Sequence, residues 1–308
     1  MNRRVFGVRA PVFVKMGAIL AAIACSGPTE SARPEVAASP GPAPSSGQTP
    51  SAASQPTPQP QVVERPEWRQ SFDQLGVDGA CVVLELPANR LHVYRPERVA
   101  TRYVPASTFK IPNSIIALET GVASGADFTL PWDGTERTIA SWNRDHDLRS
   151  ALRNSVVWYY QEVARRIGSQ RMTEWLARLD YGNRSIDGGI DQFWLRGGMR
   201  ISPREQVAFV RRLNQGTLPI SARTREVMRD IMILEQTADY ALRGKTGWGF
   251  PRTPDEIGWL VGWVESGERT AYFATIVLDP PDGLVLTSRQ AVTRAILAQL
   301  DLLPADPG

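Results

Sequence analysis

The stretch VPASTFKIPNS, Val104–Ser114, places Ser107 three residues before Lys110. Residues at this spacing lie on one face of a helix, and we predict a helix over Ser107–Thr120. The preceding Pro-Ala pair puts Ser107 at the helix N-terminus, where the helix dipole favours developing negative charge. By itself, the spacing is more typical of a capping serine and a solvated lysine, so its meaning depends on the rest of the chain.

Strand-like runs lie on both sides of this stretch. Before it, ACVVLELP and RLHVYRP predict a hairpin, and after it YALRGKTGW, EIGWLVGWVES and TAYFATIVLD predict three strands. Between them lie helical patterns, including Asp147–Gly168 (DLRSALRNSVVWYYQEVARRIG) and SPREQVAFVRRLNQG, which opens with an N-cap and a proline and stops at a glycine. SRQAVTRAILAQL closes the chain as an amphipathic helix. These patterns predict an α+β fold, with one antiparallel sheet built from both termini and a helical subdomain inserted at about residues 121–215.

The side chains around Lys110 are apolar. A serine hydroxyl is a weak nucleophile until a neighbour takes its proton, and a lysine can do so only if burial keeps it neutral or if it is modified. Phe109, Ile111 and Ile115 provide surroundings suited to burial. Pro112 removes an N–H early in the predicted helix, so we expect a local distortion just after Lys110.

The first residues differ from the rest of the chain. Residues 1–24 hold four basic residues and no acid, and end in an apolar run of nine residues, Met16–Ala24, which is the layout of a secretory signal. The run is too short to span a bilayer, which takes about 20 residues. AAIAC, ending at Cys25, resembles a bacterial lipobox, and both lipidation of Cys25 and ordinary cleavage nearby stay open. The sequence predicts export to the periplasm, with a lipid anchor to a membrane as one alternative.

A Pro/Ser/Ala-rich segment follows the signal. Nine prolines fall between Ser26 and Pro60, with almost no large apolar residue. Such a composition cannot bury a core, so residues 25–64 are predicted to be a disordered tether. The folded domain is predicted at residues 65–304.

Composition excludes several classes of function. Without residues 1–24 the chain has 31 basic and 32 acidic residues, so its net charge is −1 and it lacks the positive charge of a nucleic-acid-binding protein. Two cysteines exclude a disulfide scaffold, and Cys81 is expected as a buried thiol. His92 and His146 are expected to be surface or hydrogen-bonded residues, which disfavours a Ser-His-Asp triad or a histidine-rich zinc site.

Three further motifs follow S-x-x-K along the chain. SVV, Ser155–Val157, lies inside the predicted helix Asp147–Gly168, and YGN, Tyr181–Asn183, is expected to end a helix. KTGW, Lys245–Trp248, lies on a strand, where the glycine lets a ligand approach the backbone. Each motif is unspecific alone, but the ordered set at these spacings is very specific.

With these motifs, residues from about 67 to 303 resemble a class D, oxacillinase-type serine β-lactamase. PASTFKIPNS, NSVVWYYQ, YGN, GGIDQFWL and KTGW occur in the family's order. S-x-x-K and K-T-G are shared with penicillin-binding proteins and other serine β-lactamases. SVV, where class A enzymes carry S-D-N, and FWL, Phe193–Leu195, favour class D. The resemblance implies an α/β/α sandwich, β-lactam substrates, a monomer or homodimer, and no cofactor or metal beyond the CO₂ or bicarbonate needed to carboxylate a lysine.

The resemblance also implies a role for each matching residue. Ser107 would attack the β-lactam carbonyl and carry the acyl group. Lys110 would be carboxylated to N6-carboxylysine, the general base for acylation and deacylation. Trp194 would donate its indole N–H, which can only be a donor, to that carbamate. Ser155 would relay a proton toward the lactam nitrogen.

Other matching residues would shape the cleft. Val156 and Leu195 would cover the lysine pocket and limit water. The backbone N–H groups of Ser107 and Trp248 would form an oxyanion hole. Trp248 stands where the family more often has Phe, which leaves the cleft shape and the substrate preference open. The substrate carboxylate would lie among Lys245, Thr246 and Arg289, the last of which aligns across a loop.

Two other classes share parts of this pattern. A β-lactam sensor domain acylates without deacylating, and normally follows transmembrane helices and a metalloprotease segment, neither of which the sequence shows. A penicillin-binding transpeptidase or carboxypeptidase would lack Trp194 and normally carry a polar residue at position 156. The sequence therefore predicts hydrolysis of β-lactams through a covalent acyl-enzyme.

Overall fold

The strands of the sheet come from the two ends of the folded region, as the sequence predicts. The computed structural model describes residues 58–250, 253, 255–278, 280–281 and 283–304. Its strands are β1 (Gln61–Glu64), β2 (Asp78–Leu86), β3 (Arg90–Tyr94), β4 (Ile233–Gln236), β5 (Tyr240–Gly249), β6 (Ile257–Ser266) and β7 (Arg269–Leu278). They form one sheet in the order β1-β3-β2-β7-β6-β5-β4, with β1 parallel to β3 and every other neighbouring pair antiparallel.

Nine helices in the described residues lie between the strands or follow the last strand. They are α1 (Arg69–Asp73), α2 (Pro96–Ala100), α3 (Lys110–Glu119), α4 (Leu148–Arg153), α5 (Val157–Ile167), α6 (Ser169–Leu179), α7 (Pro203–Gln215), α8 (Ala222–Ile231) and α9 (Val285–Gln299). The predicted signals of α7 are confirmed: Ser202 and Glu205 form a capping box, and Gly216 ends the helix with a φ of 72°.

Alternating side chains give the sheet two buried faces. On β2, Cys81 and Val83 belong to one core, whereas Val82 and Leu84 belong to the other. The first core is covered by α1 and α9, and the second by α2, α7 and the inserted helices. The molecule is therefore the α/β/α sandwich of an α+β fold.

Two predicted boundaries are wrong. The last residues of the predicted tether, Gln61–Glu64, form β1, which pairs with β3 at the edge of the sheet. Their side chains are mostly exposed, so they carry no apolar pattern. Helix α7 falls within the predicted subdomain at 121–215 but packs against β2, β6 and β7, so it belongs to the sheet layers instead.

The helical pattern over Asp147–Gly168 is two helices rather than one. The chain turns between α4 and α5, where Ser155 has a φ of 56°, in the left-handed region. The prediction that Ser155 lies inside a helix is therefore wrong. Likewise, α6 is capped by Asp180 with a φ of 49°, and YGN follows this cap. The expected distortion after Lys110 is also wrong, because α3 runs on through Pro112 and a 3-10 turn precedes the lysine.

Cys81 is buried, as predicted, and of the two environments expected for the histidines the structure shows the hydrogen-bonded one, in the interior rather than at the surface. Burial raises the pKa of the Cys81 thiol to about 12. His92 lies 3.1 Å from a carboxylate oxygen of Glu85 through Nε2, and accepts a hydrogen bond from Arg65 at Nδ1 over 3.0 Å. His146 is 1% exposed and its ring nitrogens contact a serine hydroxyl and a backbone carbonyl. All three are therefore structural rather than catalytic.

The predicted signal at 1–24, Cys25 and the predicted tether as far as residue 57 lie outside the described residues. Across the described ranges, no helix combines the length and apolar character needed to cross a membrane.

Candidate active site

The candidate nucleophile lies on a 3-10 turn, Ala106–Phe109, that leads into α3. Ala106 is fully buried and has a φ of 47°, a conformation that side chains disfavour. The N–H and the hydroxyl of Thr108 both donate to the Pro105 carbonyl, at 3.1 and 2.7 Å. These contacts hold a strained turn in one conformation, a feature that concentrates at functional sites.

Lys110 and Ser107 are in direct contact, with Nζ 2.8 Å from Oγ. The lysine side chain is fully buried, and burial lowers the pKa of its amine to about 7. The predicted apolar surroundings are present, because Phe109, Ile111 and Ile115 are all buried. At neutral pH a substantial fraction of the amine is therefore unprotonated and able to accept the serine proton.

Tyr160, from α5, lies beside the same amine. Its ring centroid is 5.4 Å from Lys110 Nζ. Its hydroxyl lies 2.8 Å from Ser114 Oγ, which donates to the backbone carbonyl of Lys110 at 2.8 Å. Both the side chain and the backbone of the lysine are thus tied to α5.

Trp194 is stacked on the residue before the lysine. Its ring centroid lies 5.3 Å from that of Phe109, and its side chain is fully buried. Its Nε1 has no hydrogen-bond partner among the described residues. A buried N–H without an acceptor costs about 1–3 kcal/mol, so an acceptor beside this donor would be stabilising.

The residues predicted to border the lysine pocket differ in exposure. Ser155 is half-buried in the turn between α4 and α5, and Leu195 is half-buried against the main core. Val156 is fully buried, whereas Val157, the next residue, is half-buried. Val157 and Leu195 are therefore partly accessible, whereas Val156 belongs to the core.

Basic residues converge beside β5, where a cleft of about 330 Å³ is lined by Lys245 and Thr246 among others. Lys245 is buried, and its Nζ donates to the carbonyl and hydroxyl of Thr246 at 3.0 and 3.2 Å. Burial, together with the positive charges of Lys110 and Arg289, holds the pKa of Lys245 well below its usual value. Arg289, on α9, donates to the Gly247 carbonyl at 2.5 Å, and burial lowers its pKa to about 10.

Gly247 allows β5 to approach the nucleophile turn. A Cβ at this position would lie 3.0 Å from the Pro105 carbonyl oxygen and 3.1 Å from a methyl carbon of Thr108. A Cβ on Gly249 would also meet this segment, at 3.5 Å from Ala106. Both neighbours of Trp248 on β5 thus pack against the turn, so the backbones of the two predicted oxyanion-hole residues lie on adjoining segments.

Comparison with known proteins agrees with this geometry. The penicillin binding protein transpeptidase domain family matches residues 44–299. The chain is 41% identical to β-lactamase OXA-48 of Klebsiella pneumoniae over 241 residues, 78% of this chain and 90% of that protein. Over 248 residues it is 39% identical to β-lactamase OXA-2 of Salmonella typhimurium, covering 80% and 88% of the two chains. The chain belongs to the class D serine β-lactamases.

Solved structures of class D β-lactamases have the same fold. The enzyme YbXI from Nostoc matches with a TM-score of 0.74 and 42% identity, over 77% of this chain and 99% of the other. FUS-1 (OXA-85) from Fusobacterium nucleatum matches with a TM-score of 0.75 and 35% identity, over 78% and 100%. The family and the enzyme class predicted from the motifs are thereby confirmed.

The site of this class D β-lactamase also contains residues to which the sequence analysis assigned no role. Gln206, on α7, donates to the Thr108 hydroxyl at 2.8 Å. Tyr181, within YGN, packs edge-on against Phe109 with ring centroids 5.8 Å apart. Tyr160 adjoins the candidate base. These residues read as ordinary core positions in sequence, and only the fold brings them to the nucleophile turn.

Proposed function

We propose that the enzyme hydrolyses β-lactams through a covalent acyl-enzyme on Ser107. Lys110 takes the serine proton as the hydroxyl oxygen attacks the lactam carbonyl. The 2.8 Å contact between the two side chains carries this proposal, together with the burial that lowers the lysine pKa to about 7. A base with a pKa near the working pH combines adequate basicity with a large unprotonated fraction.

We propose further that Lys110 is carboxylated by CO₂. Two observations support the fit of the group: the amine has a substantial neutral fraction, and Trp194, which stacks on the preceding residue Phe109, has an Nε1 that lacks an acceptor among the described residues. Carboxylation would supply an anionic oxygen that acts as the general base for acylation and deacylation. Trp194 would donate its N–H to the carboxylated lysine, satisfying the buried donor.

The remaining roles follow from position. Lys245, Thr246 and Arg289 would bind the substrate carboxylate, because two cations and a hydroxyl lie together at this end of β5. The backbone N–H groups of Ser107 and Trp248 would stabilise the tetrahedral oxyanion. Ser155 would relay a proton to the lactam nitrogen, and the half-buried Leu195 and the buried Val156 would limit water.

Nitrocefin turnover tests this mechanism. We expect the wild-type rate to rise with added bicarbonate, Lys110→Ala to lose turnover and its bicarbonate response, and Ser107→Ala to lose acylation. Ser124→Ala, at an exposed serine, is the matched control and should resemble wild type. A stoichiometric burst without turnover would instead indicate a β-lactam sensor. An active Lys110→Ala with no bicarbonate effect would reject the carboxylated base.

We also propose that the chain is exported to the periplasm, with Cys25 as a site of lipidation. The basic and apolar residues at 1–24 and the lipobox-like AAIAC support this proposal. Membrane fractionation of wild type and Cys25→Ser tests the lipid anchor. Release of the variant into the soluble periplasmic fraction is expected, and unchanged membrane association would reject lipidation at this cysteine.

A further inference from the structure

A buried chain of hydrogen bonds runs from α7 to the nucleophile turn. Gln206 Nε2 donates to Thr108 Oγ1 at 2.8 Å, and the Thr108 hydroxyl donates to the Pro105 carbonyl at 2.7 Å. Behind them, the Tyr181 hydroxyl donates to Gln206 Oε1 at 3.5 Å. The side chains of Gln206, Thr108 and Tyr181 are all fully buried. None of these hydrogen bonds involves Ser107, so any effect on the nucleophile must pass through the turn.

Gln206 sets the direction in which the Thr108 hydroxyl points. A hydroxyl has one proton to donate and lone pairs to accept with. Because the Gln206 amide donates to Thr108 Oγ1, it occupies a lone pair and leaves the hydroxyl proton for the Pro105 carbonyl. The methyl group of Thr108 faces β5 instead, since a Cβ on Gly247 would lie 3.1 Å from it. Both branches of the threonine side chain are thus fixed.

The Pro105 carbonyl is the point at which the turn is closed. It accepts from the N–H of Thr108 at 3.1 Å as well as from the hydroxyl, so Ala106 and Ser107 are held between two anchored residues. Ala106 has a φ of 47°, which is unfavourable for a residue with a Cβ, and the turn would relax if the restraint were removed. The Ser107 N–H belongs to the peptide that follows this strained residue, so its direction depends on the restraint.

We propose that Gln206 and Thr108 are positioning residues that aim the Ser107 N–H at the developing oxyanion. This inference rests on the proposed function, in which that N–H is one of two oxyanion donors. Such a donor lowers the barrier only when it points at the place where the charge develops. Loss of the restraint should therefore weaken binding of the transition state.

The test compares kcat/KM for nitrocefin with the Ki of phenylboronic acid, which forms a tetrahedral adduct on a serine oxygen and so resembles the transition state. Thr108→Val removes the hydroxyl at almost constant volume, and kcat/KM should fall about 10- to 100-fold while Ki rises by the same factor. Gln206→Met, which leaves the Thr108 hydroxyl in place, should have a smaller effect of about fivefold on both values. Thr108→Ser keeps the hydroxyl and loses one methyl group, so it should stay within about fourfold of wild type.

A double variant and two control variants separate this role from general effects of substitution. Thr108→Val combined with Gln206→Met should resemble Thr108→Val alone, because the glutamine acts through the hydroxyl that is already missing. Thr101→Val removes an exposed hydroxyl that donates to a backbone carbonyl at 2.8 Å, and Gln215→Met changes an exposed glutamine at the end of α7. Both controls should match wild type.

A merely structural role would reduce the amount of folded enzyme, which lowers the apparent kcat but leaves the Ki of phenylboronic acid unchanged, and this result would overturn the proposal. So would a Thr108→Ser variant as impaired as Thr108→Val, or a double variant whose loss equals the product of the single losses. If Thr108→Val fails to fold, Gln206→Met compared with Gln215→Met carries the test.

The wild-type enzyme distinguishes failure of this inference from failure of the proposed function. Absence of both nitrocefin turnover and inhibition by phenylboronic acid in wild type would overturn the two together. Normal turnover and inhibition in wild type, with the same values in Thr108→Val and Gln206→Met, would overturn this inference alone.

Discussion

Replacing Lys110 with methionine is expected to stabilise the enzyme while removing its turnover. Methionine has a similar length and no charge, so the variant avoids the unfavourable burial of an amine. The lysine pKa falls from 10.5 to about 7, which corresponds to about 5 kcal/mol. At pH 7.5 this penalty is about 4 kcal/mol, and loss of the hydrogen bond to Ser107 offsets about 1 kcal/mol. The free energy of unfolding should therefore rise by about 3 kcal/mol.

The gain should depend on pH in a defined direction. The unfolded chain keeps the lysine proton up to about pH 10.5, whereas the folded chain loses it at about pH 7. Between these values the unfolded state binds more protons, so wild-type stability rises with pH. The advantage of Lys110→Met should accordingly be largest at and below pH 7 and shrink as the pH approaches 10.5.

Urea unfolding in CO₂-depleted buffer at pH 7.5 and 9.5 measures this difference. Lys110→Ala is the matched control, because it removes the same amine but leaves a cavity that costs several kcal/mol. Added bicarbonate should stabilise wild type by mass action and leave the methionine variant unchanged. The reasoning is refuted if Lys110→Met is less stable than wild type at pH 7.5, or if the gap is the same at both pH values.

Three further predictions concern other parts of the molecule. Trp194→Phe should change the unfolding free energy by less than about 2 kcal/mol, because lost volume and a removed unpaired N–H oppose each other. It should also raise the bicarbonate concentration needed for half-maximal nitrocefin turnover, and an unchanged requirement contradicts its role. Burial lowers the pKa of His92, so the fold favours the neutral ring and loses stability as pH falls below about 6.5. The midpoint of urea unfolding should therefore be lower at pH 5.5 than at pH 7.5. The decrease should be smaller in His92→Gln. Gly182→Ala places a Cβ 2.3 Å from the Arg200 carbonyl oxygen at a φ of 53° and should lower the free energy of unfolding by about 3 kcal/mol or more. Gly267→Ala is the control, because its φ is 56° but its surroundings are open, and it should lower the free energy of unfolding by about 1–2 kcal/mol. Thermal melts compare the two, and equal losses contradict the steric argument.

The strands are largely predictable because their signals are local. IGWLVGWVES, which becomes β6, is an apolar run of the kind that a sheet buried on both faces requires. Gln61–Glu64 shows the limit of such signals. Its exposed residues carry no periodicity, and it becomes β1 only because β3 offers an edge to pair with. Long-range pairing of this kind is absent from any local pattern.

The site is predictable to the extent that its motifs are ordered along the chain. Ser107, Lys110 and the K-T-G strand meet because the fold packs the 3-10 turn Ala106–Phe109, which leads into α3, against β5. The turn at Ser155 is not predictable, since an amphipathic pattern runs straight through it and a left-handed serine has no signature in sequence. The same holds for the contact between Glu256 and Trp248, which only the hairpin of β5 and β6 brings about.

The two lysines of the site differ in what lowers their pKa values, and this difference would suit the separate roles proposed for them. Burial alone acts on Lys110, whereas Lys245 also experiences the positive charges of Lys110 and Arg289. A substrate carboxylate bound beside Lys245 would oppose those charges and raise its pKa toward the cationic form. The pKa of Lys110, lowered by burial in its apolar pocket, would change less. Substrate binding would thus widen the difference between a cation that holds the substrate and a base that takes the serine proton, the separation that acid–base catalysis at neutral pH requires.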